Sequence, residues 1–234
     1  MAESSDPVAV YLEVGKKRTL AGAIDWPGWC RGGRDEEAAL QALIDYGPRY
    51  ERIMQTAGID FHAPADVSKL TIVERVEGNT TTDFGAPAVE PSSDSAPVDE
   101  TELRHLRDFM KACWAALDAA QEAAYGKDLR KGPRGGGRDL QDVVGHVLGA
   151  EKSYVTSLGG KLSKQASEDE HEAITGSALD QRRQLILDAL AGAAHGEFPQ
   201  YGPRGGMRWT PRYFVRRSAW HILDHVWEIE DRAR

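Results

Sequence analysis

Apolar positions follow two different periods along this chain. From Leu103 through Leu106, Met110, Cys113, Leu117, Ala120 and Ala124 they recur at alternating steps of three and four. That spacing lays one apolar stripe along an α-helix, a face made for packing against other helices. Asp99 precedes it, and the order D-E-T-E fits a capping box with Glu102 at its third position. Further helices are predicted from about Asp139 to Leu158 and from about Ser177 to Ala194. A fourth opens with Thr210 as cap and Pro211 as first helical residue, and runs nearly to the end. Four helices of this length predict a four-helix bundle.

The other period is two. VAVYLEV, Val8 to Val14, alternates and is rich in β-branched residues, so it reads as a strand. GKK turns the chain, and Arg18 to Asp25 becomes the hairpin partner. A helix follows from near Asp35, with a bend or break expected at Gly47-Pro48. Ser68 to Glu77 is the last strand. The order β-β-α-β predicts a small sheet with a helix on one face. The fold class expected is therefore α+β, a β-β-α-β domain over residues 1–77 and a helical bundle over 99–234. Between them, 78–98 is rich in Pro, Ser, Thr and Ala without an apolar period, and reads as a linker.

Net charge of −8 argues against nucleic acid as a partner, because phosphate binding wants a cationic surface. No apolar run is long enough for a membrane helix, and MAESSDPVAV lacks the build of a signal peptide. Two cysteines, Cys30 and Cys113, offer neither a disulfide framework nor a metal cluster. A cytoplasmic protein without membrane or nucleic-acid partners is expected. Cys113 lies in the apolar stripe and reads as a packed thiol.

The candidate chemistry lies in WHILDHVWEIED, Trp220 to Asp231. His221 and His225 are four apart and stack on one helix face, a spacing that suits two ligands of one divalent metal. His146 sits mid-helix in DLQDVVGHVLGAEKSY, on a face shared with Val143, Ala150 and Ser153. Gly145 and Gly149 flank it at a propensity cost of roughly 1 kcal/mol each, which close approach of a helix or ligand would explain. Three imidazoles in one core need a metal or protonation, and burying several cations together is costly. His105 is expected to point outward, and His171 and His195 to be solvated.

With those residues in place, the stretch from Val98 to Arg234 resembles the DinB/YfiT-like superfamily of metalloenzymes. Its GHVLGAE and WHILDHVWE are similar to that family's histidine in the second helix and its H-x-x-x-H pair in the fourth. The resemblance implies His146, His221 and His225 as metal ligands, with zinc or nickel as the ion. It also implies a low-molecular-weight thiol, such as mycothiol or bacillithiol, as co-substrate. The run DWPGWCRGGRDEEAALQAL is similar to the HicB-like domain, over about Val8 to Tyr50, with Trp29 interrupting its turn. That resemblance implies an interaction or dimerisation module.

Other side chains are candidates for supporting roles. Glu228 reads as a fourth ligand or a general base, Asp224 as a partner to a ligating histidine. Arg217, one turn before His221, reads as a holder of an anionic substrate or as a surface arginine. GPRGG occurs twice, before two of the helices, so Arg134 and Arg204 either bind an anion beside helix N-termini or sit in solvated connectors. Glu151, about 140° around its helix from His146, is expected in a surface or interhelical ion pair. Trp220 and Trp227 read as core or dimer contacts, leaving a homodimer open. The expected function is a metal-dependent enzyme that activates water or a thiol for a small-molecule substrate, the external thiol and its transferase chemistry being what the resemblance implies. Its rivals are a hydrolase using water with Glu228 as base, and a regulatory protein with a structural metal.

Overall fold

The computed structural model describes residues 7–131, 137–162 and 176–233. The architecture is mixed α and β, with one four-stranded sheet and six α-helices among the described residues. Two compact units divide the chain, Met1–Ala96 and Pro97–Arg234. No helix among the described residues is long and apolar enough to cross a membrane.

In the first unit β1 (Val8–Val14) pairs antiparallel with β2 (Thr19–Ala23) and parallel with β4 (Leu70–Glu77). An additional strand, β3 (Cys30–Gly33), pairs with β2 and gives the order β3-β2-β1-β4. The period-two reading missed β3 because CRGG carries no alternation. Its glycines are steric: a Cβ at Gly33 would fall 2.3 Å from the Ala39 backbone nitrogen. The strand therefore passes against the start of α1 (Glu36–Thr56) at a distance only glycine allows.

Helix α1 runs unbroken through Pro48, against the expected bend or break. Leu43, Ile44, Gly47, Tyr50, Ile53 and Met54 are buried on both sides of the proline, so one apolar face spans it. That burial outweighs the roughly 3 kcal/mol an interior proline costs. Trp29, which interrupts the turn, is fully buried and donates through Nε1 to the Leu43 carbonyl at 2.9 Å.

The segment expected as a linker belongs, up to Ala96, to the first unit. It carries α2 (Thr80–Phe84), capped by Asn79, and a 3-10 turn at Ser92–Ser95. Buried Glu13 accepts from the Thr82 hydroxyl and from the amides of Ala88 and Val89. Glu74 accepts from the amide and hydroxyl of Ser92, and Asp83 from the Lys17 amide. Glu13 and Glu74, on the sheet, thus satisfy the amides of Ala88, Val89 and Ser92 in a stretch too polar to show an apolar period.

The second unit holds α3 (Glu100–Ala124), α4 (Leu140–Leu158), α5 (Ser177–Ala194) and α6 (Pro211–Arg232). Helix α6 packs against α3, α4 and α5 and is buried around most of its circumference. Asp99 and Thr210 cap α3 and α6 as the sequence indicates. The capping box on α3 is only half made. Asp99 accepts from Thr101 and Glu102 amides, but the Glu102 carboxylate forms a bidentate pair with Arg212 of α6. A charge-assisted fork is stronger than the return bond to a neutral amide.

Candidate metal centre

Helix α4 brings His146 and helix α6 brings His221 and His225 to one point, with one ring nitrogen from each within 4.8 Å of the others. His146 Nε2 and His221 Nε2 are 3.2 Å apart, and the ring centres of the three stand 4.7 to 5.0 Å from one another. His221 and His225 are buried by α6 being the central helix, whereas His146 is the more open member.

The electrostatics at His221 and His146 are those of neutral rings. Burial pushes the His221 pKa down to about 2, helped by the charges of His225, Arg217, His146 and Arg138. Burial also lowers that of His146, with Arg138 and His225 adding to it and Glu228 opposing. A neutral imidazole has a lone pair to offer, which is what a metal requires. Two nitrogens each about 2.0–2.1 Å from one tetrahedral ion stand roughly 3.3 Å apart, so the 3.2 Å separation fits a shared ion.

Glu228 stands behind His225. Its Oε2 is 2.7 Å from His225 Nδ1, and its Oε1 accepts from Arg232 Nη1. Burial raises the Glu228 pKa, but the bonds and charges of His225 and Arg232 outweigh it, and the net shift is downward. Arg232 in turn donates to the carbonyls of Arg130 at 3.0 Å and Arg138 at 2.6 Å. The strand-like pairing of Leu129 with Ala233 closes the same end. Sequence reading named Glu228 but not Arg232. The i,i+4 spacing of the two on α6 was the available signal.

Arg217 is half-buried, its guanidinium carbon 4.6 Å from the Trp220 ring centre and 5.3 Å from that of Tyr154. Arg204 is exposed in a tight turn where the Gly202 amide donates to the Gly206 carbonyl. Helix α6 begins at Pro211, beyond the second GPRGG, and is capped by Thr210. Arg134 lies outside the described residues, as does His171. His105 is exposed, and His195 pairs with Glu100 at 2.8 Å, both apart from the three-histidine group.

Glu151 makes an interhelical pair, but a buried one. It accepts from Trp114 Nε1 of α3 at 2.6 Å and lies 3.6 Å from Arg182 Nε of α5. Burial raises its pKa against these partners. Trp220 and Trp227 are both buried, as core residues are. No neighbouring helix approaches Gly149 closely, since a Cβ there would meet nothing within 4 Å among the described residues. Cys113 is fully buried and its thiol pKa is raised by that burial, so it offers no thiolate.

Comparison with protein-family models, with curated proteins and with solved structures returns no match to this chain.

Proposed function

We propose that the second unit is a DinB-like metalloenzyme domain, whose three histidines hold one divalent ion, zinc before nickel. The observation that carries this reading is the convergence of the His146, His221 and His225 ring nitrogens from two helices. The donor set is all neutral nitrogen, which suits zinc or nickel better than magnesium or calcium. A bound divalent ion supplies Lewis acidity, which acidifies a thiol or a water at an open coordination position.

The chain's own residues then divide the remaining work. Glu228 fixes the His225 ring by accepting from Nδ1, leaving Nε2 as the nitrogen with a lone pair. Arg232 holds Glu228 in place and ties it to the chain around Arg130 and Arg138. The more open His146 marks the side from which a co-substrate reaches the centre.

Thiol activation is favoured over hydrolysis by the state of Glu228. Both of its oxygens are engaged and its pKa is lowered, which suits orientation of a ligand and not abstraction of a proton. Cys113 and Cys30 are both buried, so an external low-molecular-weight thiol has to supply the sulfur. The first unit, read as HicB-like, serves as an interaction module.

Consumption of mycothiol, bacillithiol or glutathione in the presence of monochlorobimane tests the reading. Zinc-dependent turnover that disappears in His221→Ala is expected. Thiol-independent hydrolysis by the zinc-loaded protein would instead select the hydrolase. Full zinc loading with neither activity would favour a structural metal.

A further inference from the structure

Arg217 and His221 lie one turn apart on α6, and each holds a buried nitrogen that no described residue satisfies. These are Nη1 of the guanidinium and Nδ1 of the imidazole. His221 Nε2 is 3.2 Å from His146 Nε2, and a neutral ring that accepts there, from His146 or toward an ion, carries its proton on Nδ1. A buried donor without an acceptor is costly, and two such neighbours mark the place of a missing acceptor.

Both side chains border the same two rings. Arg217 is 4.6 Å from Trp220 and 5.3 Å from Tyr154, and the His221 ring is 6.2 Å and 5.7 Å from them. Trp209 extends this wall at 5.1 Å from Tyr154, and Tyr154 and Trp209 are only half-buried. The local charge is positive, since Arg217 and Arg138 both act on His221, and Arg217 has no ion pair among the described residues. Glu228, the acid at the cluster, is already engaged with His225 and Arg232.

We propose that Arg217 and His221 Nδ1 form an anion subsite for the carboxylate of a flat, apolar organic acid. The body of that acid lies along Tyr154 and Trp209. One carboxylate supplies the charge Arg217 lacks and has lone pairs for both donors. As an assignment of substrate class this rests on the metal-site reading, whereas the binding itself needs no ion.

Benzoate titration of the full chain, followed by calorimetry and by tryptophan fluorescence, tests the subsite, with zinc content measured in parallel. Saturable benzoate binding with and without zinc is expected, tighter than acetate binding because of the aromatic wall. Arg217→Ala should weaken benzoate at least about tenfold, Arg217→Lys less so, and both should keep the zinc content of wild type. Equal benzoate affinity in wild type and Arg217→Ala would overturn the subsite, as would the absence of saturable binding. Loss of zinc with Arg217 would overturn it too, making the arginine a support for the histidines. Wild type that binds benzoate and takes up no zinc would leave the subsite standing and remove the metal reading.

Discussion

His225 Nδ1 and Glu228 Oε2 are 2.7 Å apart on the same helix, three residues from each other, with Arg232 completing the line on the far side of the carboxylate. A carboxylate in this place sets the tautomer and orientation of a ligating histidine. Glu228→Ala should therefore reduce zinc affinity about 10- to 100-fold while leaving the three nitrogens in place. Chelator competition measures it. Unchanged affinity would mean that the Glu228 bond has no bearing on the ion.

The pH dependence of stability follows from His221. Its folded pKa, about 2, lies below the roughly 6.5 of an unfolded imidazole, so the unfolded chain takes up a proton that the folded chain refuses. Above pH 6.5 this difference is silent. As pH falls from there toward 2, it destabilises the metal-free fold progressively. Urea denaturation of wild type and His221→Gln should run parallel at pH 7 to 9, and wild type should lose ground below about 6.5. Parallel curves down to pH 4 would place the His221 ring in solvent.

Much of the helical unit was legible because its signals are local. The stripe from Leu103 to Ala124, the caps Asp99 and Thr210, and the i,i+4 pair of His221 and His225 all depend on spacing within one helix. What escaped depends on partners far along the chain. Strand β3 exists because Gly32 and Gly33 admit Leu20 and the start of α1, and no alternation announces that. The 78–98 stretch reads as a linker until Glu13 and Glu74 are seen to bind amides within it. Glu102 fits a cap by position, yet Arg212, 110 residues on, takes its carboxylate. Glu228 was recognisable as a candidate from its place three residues after His225, but its role turns on Arg232 and the carbonyls beyond it.

Glu13 gives a direct handle on that stretch. Glu13→Ala removes the acceptor for the Thr82 hydroxyl and two backbone amides inside a buried site. A loss of roughly 2–4 kcal/mol is expected, at about 1–3 kcal/mol for each buried donor left unpaired and less where water enters. Hydrogen exchange at Ala88 and Val89 should accelerate, and limited proteolysis should cut within 78–96. Unaltered exchange there would show that the segment is held by other contacts.

Gly149 offers the opposite effect. A Cβ at this mid-helix position meets open space, so Gly149→Ala should stabilise α4 by about 1 kcal/mol through helix propensity alone. Chemical denaturation reads this. A destabilised variant would mean that the open space beside His146 is filled in the working protein.

Zinc stoichiometry and affinity in wild type and His146→Ala bear most directly on the shared centre, because His146 alone among the three comes from α4. Wild type should bind one equivalent of zinc per chain. His146→Ala should keep its fold by circular dichroism, since Val143, Val147 and Leu148 still pack α4, while its zinc affinity falls at least about 100-fold. His195→Ala should match wild type. If His146→Ala binds zinc as tightly as wild type, the 3.2 Å contact between His146 and His221 is a hydrogen bond and not one edge of a metal site.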